Sequence, residues 1–294
     1  MNMKILKYVT IVCSAASIAF TSCVKDKLFN TPHPDRGAVR VTSDWSESAE
    51  VSVPDNYTLR IGEKEQDVSG ESNPFNDLFD PGRYFLLVYN KPDGITIDGT
   101  TATVNTLDNG ILQDMPGYLF SSRNMLDITA DDTLRVTAMM KQHIRMVTLE
   151  LQLGDGDDTR ISSIRATLHG IAHTVDLETG ELAEGQAGKS LQPEFELWGG
   201  NAGTRASLSN PLLLASFRFM GIIHTEMQLL LMDITLADGS THVIGTDLSE
   251  ALMLAGSGMD PLVLDAGLEL PVEAGASGSI TDWTVVDNGS VEIN

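Results

Sequence analysis

Hydrophobic and polar residues alternate along most of the chain after residue 37. In the segment AVRVTSDW (38–45), Val39 and Val41 lie on one side of an extended chain, and polar residues lie on the other. The segment RMVTLELQL (145–153) has the same period of two. That period is typical of a β-strand with one buried face. It predicts strands in these two segments and in 57–61, 83–89, 101–106, 132–140, 161–168, 173–177, 194–198, 212–219, 227–236, 241–245, 261–270 and 279–286.

Turn signals separate many of the predicted strands. Asp-Gly pairs occur at 93–94, 98–99, 155–156 and 238–239, and both residue types tolerate the positive φ that tight hairpins require. Only the segment DLSEALML (247–254) has the capping-box spacing of a helix start, with Asp247 three residues before Glu250. Many short strands joined by turns predict an all-β chain made of antiparallel β-sandwiches.

The number of predicted strands indicates two domains, because a single sheet rarely grows past about ten strands. The length of 294 residues agrees, since one domain usually has about 100–200 residues. The break is expected between the strand that ends at Met140 and the strand that begins at Arg145. We therefore predict two β-sandwich domains in tandem, at 38–141 and 142–294.

The first 22 residues have the features of a secretory signal peptide. Lys4 and Lys7 precede a mostly apolar stretch at 8–20, which has small residues towards its end. This stretch is too short to cross a membrane as a helix, and no later segment is long and apolar enough to do so. The sequence predicts that residues 1–22 are removed on export.

Cys23 follows this signal directly. Cys13 is discarded with the signal, so Cys23 has no cysteine left with which to form an internal disulfide. The residues FTSC (20–23) have the form of a bacterial lipobox, although Phe20 stands where leucine is usual. We predict a lipidated N-terminus and tether at 23–37, whose 14 residues after Cys23 span up to ~45–50 Å. The competing interpretation is a free cysteine beside an ordinary cleavage site.

Charge and motifs exclude several classes of function. The net charge of −22, with no basic patch, argues against nucleic-acid binding. His169 and His173 have the spacing of a zinc helix, but in a strand they would be about 13 Å apart. The acidic loops at 131–132 and 154–158 lack EF-hand spacing, so solvated turns are favoured over calcium sites. The segment GQAGKS (185–190) lacks the first glycine of a phosphate-binding loop.

These observations predict no catalytic residue, no metal site and no cofactor. Pairs of carboxylates for glycoside hydrolysis stay open, because the chain has many acidic residues and a sequence gives no separations. The three tryptophans, Trp45, Trp198 and Trp283, lie in or beside alternating strands, which favours a place in the sandwich cores. Stacking on carbohydrate is the alternative interpretation for them.

Five segments follow Cys23 in a recognisable order. They are FNTPHPDRGAVRVTSDW (29–45), PGRYFLLVYN (81–90), LRVTAMMKQHIRMVTLELQL (134–153), ISSIRATLHGIAHTVDLETGE (161–181) and GSITDWTVVDNGSVEI (278–293). The succession resembles the FimB-like minor fimbrial subunits of the fimbrillin superfamily. The resemblance implies two transthyretin-like β-sandwich domains, lipoprotein export, and display on the outer membrane as the anchor, or as an accessory tip subunit, of a pilus.

Subunits of this superfamily join by strand donation, in which a strand from one subunit completes the sheet of its neighbour. The resemblance implies two places for such an exchange: Val39 and Val41 in the first strand, and Trp283 and Val285 in the last. Stalk subunits are cut at an arginine, and Arg36 has the corresponding position. Anchor members keep their first strand, so no cleavage is predicted here.

We therefore expect a structural subunit of a bacterial cell-surface fimbria and not an enzyme. Its expected partners are the outer membrane, through palmitate or a similar lipid on Cys23, and pilin subunits, through β-strand augmentation. The alternative is a carbohydrate-binding outer-membrane lipoprotein of a nutrient-uptake system. The position at base or tip and the direction of strand donation are left open by the sequence.

Overall fold

The computed structural model describes residues 35–49, 51–198, 211–254, 258–271 and 277–286. Within these ranges the chain is nearly all β-structure, which confirms the predicted fold class. The same ranges contain one short helix, α1 (Ser249–Leu254), and a 3-10 turn at Asp157–Thr159. The helix lies in the predicted segment, and the carboxylate of Asp247 accepts a hydrogen bond from the backbone N–H of Ser249 at 2.8 Å.

The N-terminal lobe is built from the strands that precede residue 143. These strands are β1 (Ala38–Asp44), β2 (Asn56–Ile61), β3 (Lys64–Ser69), β4 (Ser72–Pro74), β5 (Gly82–Tyr89), β6 (Ile95–Asp98), β7 (Thr101–Val104), β8 (Phe120–Ile128), β9 (Thr133–Met139) and β10 (Lys141–Gln142). One sheet has the order β4-β1-β9, and the other has the order β10-β8-β5-β2-β3. Their facing sides share a core that includes Val41, Leu59 and Phe120.

The C-terminal lobe repeats this two-sheet arrangement. Its strands are β11 (Arg145–Leu153), β12 (Ile161–Ala172), β13 (Thr174–Asp176), β14 (Glu181–Leu182), β15 (Lys189–Leu191), β16 (Glu196–Trp198), β17 (Leu212–Phe219), β18 (Gly221–Ile222), β19 (Leu229–Leu236), β20 (Thr241–Asp247), β21 (Leu262–Glu269), β22 (Ser279–Ile280) and β23 (Thr284–Val285). One sheet has the order β16-β17-β11-β21, with β22 and β23 both on β21. The other has the order β15-β12-β19-β20, with β18 on β12.

A smaller sheet, β14-β13-β7-β6, joins the two lobes. It is a bridging sheet because β6 and β7 come from the first half of the chain, and Ala102 of β7 lies opposite Val175 of β13. Leu87 and Tyr89, on the outer side of β5, are buried in the same core as the C-terminal lobe. The alternation of residues did not predict this sheet. The predicted boundary at 141/142 falls inside β10 and stays a prediction.

Each lobe also contains one parallel pair of strands. In the N-terminal lobe β1 is parallel to β9 over seven residue pairs, from Ala38↔Thr133 to Asp44↔Met139. In the C-terminal lobe β11 is parallel to β21, from Val147↔Leu262 to Leu153↔Leu268. Parallel neighbours need a long connection, and the other strands of each lobe provide it. The first strand of each lobe is therefore paired along one edge with a strand from near the end of that lobe.

Candidate functional site

The first strand is held on both sides. Strand β1 pairs with β9 along its whole length and with β4 through Arg40↔Pro74, Val41↔Asn73 and Thr42↔Ser72. The sequence predicted Val39 and Val41 as candidates for strand exchange. In the structure they face the core with 1% and 0% of their surface exposed. Removing β1 would break both ladders and uncover this core.

The last strand is paired much more weakly. Strand β22 contacts β21 at two positions, and β23 contacts it at two more, Leu264↔Val285 and Asp265↔Thr284. Next to β22, the backbone N–H of Thr281 donates to the carbonyl of Gly267 at 2.9 Å, and the hydroxyl of Thr281 accepts a hydrogen bond from the backbone N–H of Gly267 at 2.7 Å. Val285, one of the predicted exchange residues, is 42% exposed. Among the described strands β23 pairs only with β21, so this segment forms the rim of its sheet.

Trp283 holds this weakly paired segment to the rest of the lobe. Its indole N–H donates a hydrogen bond to the hydroxyl of Thr246 in β20 at 3.1 Å. Its ring is partly buried against the larger core. The structure thus places Trp283, together with Ile280, where the last segment packs against the core. The two ends of the described chain differ: β1 is central and buried, whereas β22 and β23 are short and at an edge.

Cys23, the predicted lipidation site, lies outside the described residues, as do the predicted signal peptide at 1–22 and most of the tether. No helix in the described part of the chain is long and apolar enough to cross a membrane. The described tether residues lead directly into the sandwich, because Arg36 accepts a backbone hydrogen bond from Asp131 at 2.9 Å. The tether therefore enters at the end of the N-terminal lobe where β1 begins.

The two histidines of the HGIAH segment have different hydrogen-bond partners. The Nδ1 atom of His169 lies 2.7 Å from the hydroxyl of Ser190, and the backbone N–H of His173 donates to the side chain of Gln186 at 2.9 Å. Gly170 between them has a φ of +77°, where β12 changes register against β15. Within the described ranges, no group of three or more His, Cys, Asp or Glu residues is placed to hold a metal ion.

Ser121 and His143 form a polar pair that the sequence did not indicate. The Nε2 atom of His143 lies 2.7 Å from Oγ of Ser121, and the two residues are 4% and 3% exposed. Burial, together with the positive charge of Lys141, lowers the pKa of His143 from 6.5 to about 4. The pair is sealed where β10 meets the bridging sheet, so it is a buried structural contact and not a nucleophile open to substrate.

The sequence also gave no indication of a groove beside Trp45. The Trp45 ring packs edge-on against Tyr57 and Phe120, with centroids 6.0 and 5.3 Å apart, which agrees with the predicted core role. Its exposed side lines a groove of about 580 Å³ at the end of β1. Several lining residues come from loops that show no alternation, so the sequence pattern carried no signal for this groove.

The chain matches a known family over most of its length. A model of the family described as Mfa2, fimbrillin-A associated anchor proteins Mfa1 and Mfa2, matches residues 34–289. A comparison of the sequence with curated proteins found no match.

Solved structures share the fold at low sequence identity. The fimbrial anchor protein Mfa2 from Porphyromonas gingivalis is 11% identical, with a TM-score of 0.55 over 85% of this chain and 97% of that chain. A proposed adhesin from Bacteroides ovatus ATCC 8483 is 14% identical, with a TM-score of 0.57 over 84% and 93%. A proposed polysaccharide-binding protein from Bacteroides thetaiotaomicron VPI-5482 is 12% identical, with a TM-score of 0.55 over 79% and 91%. At these identities the likeness shows the fold alone.

Proposed function

Because the chain belongs to the family of fimbrillin-A associated anchor proteins Mfa1 and Mfa2, we propose that it is a structural subunit of a bacterial fimbria, held to the outer membrane by lipid on Cys23. The family is one of fimbrial anchors, which supports a place in the fimbrium at the cell surface. That the chain catalyses no reaction is part of the same proposal. The sealed Ser121–His143 pair is consistent with it.

The observation that carries the anchor role is the difference between the two ends of the chain. A subunit that donates or loses its first strand needs a first strand that can leave. Here β1 has ladders on both sides and buries Val39 and Val41 completely or nearly so. A first strand that stays in place suits a terminal subunit, which closes a series of strand exchanges and does not extend it.

The weakly paired last segment is the proposed place of contact with a pilin. An edge strand has unpaired backbone groups, and an added strand satisfies them. Strands β22 and β23 lie at such an edge, with only four residue pairs to β21 in total. We infer that a strand from the neighbouring subunit replaces β22 and β23 on β21.

Lipid anchoring is tested by replacing Cys23 with alanine and labelling cells with radioactive palmitate. The expected result is loss of label from this protein and its release from the membrane fraction. A Cys23→Ser variant keeps a polar side chain of similar size but has no thiol, and it should also lose the label. Continued labelling of either variant would refute the anchor.

The direction of strand exchange is tested by locking each end with a disulfide. Opposed residues in antiparallel strands lie about 4.5–5.5 Å apart between Cα atoms, which a disulfide can span. Asp265→Cys with Thr284→Cys locks β23 onto β21, and Thr42→Cys with Ser72→Cys locks β1 onto β4. We expect the first lock to abolish copurification with the pilin until reductant is added. The second lock should leave copurification unchanged; the opposite pattern would place the exchange at β1.

Carbohydrate binding is the second function that the sequence suggested. The relative from Bacteroides thetaiotaomicron carries a description of that kind, but its likeness to this chain is one of fold. A glycan array on the mature protein decides the point: specific binding of a sugar, with no pilin copurifying, would replace the fimbrial proposal by the nutrient-uptake one.

A further inference from the structure

One open sheet face of the N-terminal lobe combines apolar and basic side chains. On the outer side of β5 and β8, Phe85 lies opposite Met125, and the two side chains are 45% and 60% exposed. The guanidinium of Arg123 lies 4.0 Å from the centre of the Phe85 ring, and Arg83 is exposed two residues before Phe85. We call these four residues the basic patch. Leu87, next on the same face, is buried at the bridging sheet, so the patch continues the interface between the lobes.

One open sheet face of the C-terminal lobe combines apolar and acidic side chains. We call this part of the outer side of β19 and β20 the acidic patch, and its residues are Leu229, Leu231, Asp233, Val243, Gly245 and Asp247. Val243 is 68% exposed. Strand β19 is apolar on both faces, because Leu230 and Met232 fill the core from its inner side. A sheet face in water usually carries polar residues, so an apolar outer face indicates a surface that a partner covers.

The charges of the two patches are not balanced within their own lobes. Asp127 lies opposite Arg83, and Arg165 lies opposite Asp233. In the described ranges neither of these opposed pairs forms an ion pair, and Arg123 forms none either. The basic patch therefore has arginines available to a carboxylate from outside, and the acidic patch has carboxylates available to an arginine from outside.

The charges in the two patches have the same spacing. Arg123 lies opposite the residue of β5 that is four positions after Arg83. Asp247 lies opposite the residue of β19 that is four positions before Asp233. Four positions along a strand and one strand spacing across it separate the Cα atoms of either pair by about 14 Å. The two arginines and the two aspartates are therefore matched in separation and opposite in sign.

The centres of the two patches are complementary in shape. Phe85 and Met125 project from the middle of the basic patch. In the middle of the acidic patch Leu231 lies opposite Gly245, which has no side chain. Packed sheets lie about 10 Å apart, a gap that long arginine and short aspartate side chains bridge together. Two such faces can bury their apolar centres and pair their charges at the same time.

We propose that the basic patch of one copy of this protein binds the acidic patch of a second copy. Another polypeptide would have to supply a face that this chain already carries. The contact is heterologous, so its repetition links copies into a ring or an open row. The net charge of −22 on each copy opposes association, so we expect a weak contact with a Kd of about 100 µM. The proposal does not depend on lipid anchoring or on strand exchange.

The test is sedimentation velocity of the mature protein with Cys23→Ser, at about 10 µM to 1 mM. Arg83→Gln with Met125→Glu disrupts the basic patch, and Asp233→Asn with Val243→Lys disrupts the acidic patch. All four side chains are exposed, so the fold should be kept, which urea unfolding verifies. Each variant alone should be monomeric. An equimolar mixture should form dimers and nothing larger, because each variant keeps one intact patch of a different kind.

A matched control separates the patches from a general effect of charge. Leu107→Lys with Asp108→Asn makes the same change as the acidic-patch variant, but in an exposed turn, and it should associate like the natural protein. If the acidic-patch variant associates by itself, the basic patch binds its own kind and the proposal is wrong. Natural protein that stays monomeric at about 1 mM, or a mixture of the two patch variants that stays monomeric, would also overturn it.

Discussion

Protonation of His143 is expected to destabilise the fold between pH 6.5 and about pH 4. The imidazole is buried where β10 meets the bridging sheet, with Ser121 on one nitrogen and Lys141 as the charged neighbour. Burial and that positive charge lower its pKa in the folded protein from 6.5 to about 4. In the unfolded chain the same group takes up a proton near pH 6.5.

The sign of the effect follows from which state binds more protons. Between the two pKa values the unfolded chain is protonated and the folded protein is not, so acid favours unfolding. The stabilisation is complete above pH 6.5 and is lost as the pH falls towards 4. For these two pKa values the loss is about 2 kcal/mol between about pH 7 and pH 5, and about 3 kcal/mol in full.

The assay is urea unfolding at a series of pH values, with His143→Gln as the variant. Glutamine keeps a polar group near Ser121 and does not titrate. Between pH 7 and pH 5 the free energy of unfolding of the variant should therefore fall by about 2 kcal/mol less than that of the natural protein. His224→Gln is the control, because His224 lies in an exposed turn. His173, whose pKa is also lowered chiefly by burial, titrates equally in all three proteins. If His143→Gln and the natural protein lose stability in parallel, His143 does not carry the acid sensitivity.

Two further predictions concern stability measured by urea unfolding at neutral pH. Replacing Arg218 with glutamine should lower the free energy of unfolding by about 2 kcal/mol, because the Arg218 guanidinium lies 4.0 Å from the centre of the Tyr118 ring and donates to the carbonyl of Pro116 at 3.2 Å. Arg165, an exposed arginine of β12, is the control. An equal loss of stability in Arg165→Gln would contradict this explanation. Val41→Ala should cost about 2 kcal/mol because it leaves a cavity in a sealed core, whereas Val285→Ala at the exposed edge should cost under about 1 kcal/mol. Equal losses of stability in the two valine variants would contradict the conclusion that the first strand is held more firmly than the last.

The strands whose inner and outer faces differ most were predictable from the sequence. In β11, Val147, Leu149 and Leu151 face the core and are 0% exposed, as the alternation indicated. Their outward neighbours Thr148 and Glu150 are half-buried, consistent with a sheet covered on one side. Such segments are predictable because one buried face imposes the pattern residue by residue.

Strand β8 shows why other strands were missed. Ser122 and Asn124 lie opposite Val88 and Leu86 of β5, on the side that faces the core. Both have hydrogen-bond partners there, since the Ser122 hydroxyl donates to the Asn124 amide oxygen at 3.2 Å and the Asn124 amide N–H donates to the carbonyl of Thr137 at 3.3 Å. Two polar residues on an inner face remove the period of two, although the strand itself is intact. The edge strand β3 was missed for a different reason, because both of its faces are largely open to solvent.

Part of the candidate site was visible in the sequence, and part was not. The first and last strands were identified as the two places for an exchange, and the alternation treated them as equal. Their difference depends on what lies beside each of them. Strand β1 has β4 and β9 as neighbours, whereas β23 has only β21 among the described strands. A strand's own residues do not record how many neighbours it has.

The sequence by itself determined that this protein is all-β, where most long strands run and which of their faces are buried, because these properties repeat locally along the chain. Only the tertiary structure decided that β6 and β7 join the C-terminal half in a bridging sheet, and that first and last strands differ in strength. It also brought Asp44, Trp45 and Glu71 to one groove. These features depend on pairings between residues far apart in the chain, and each such pairing is set by the packing of the whole and not by a local pattern.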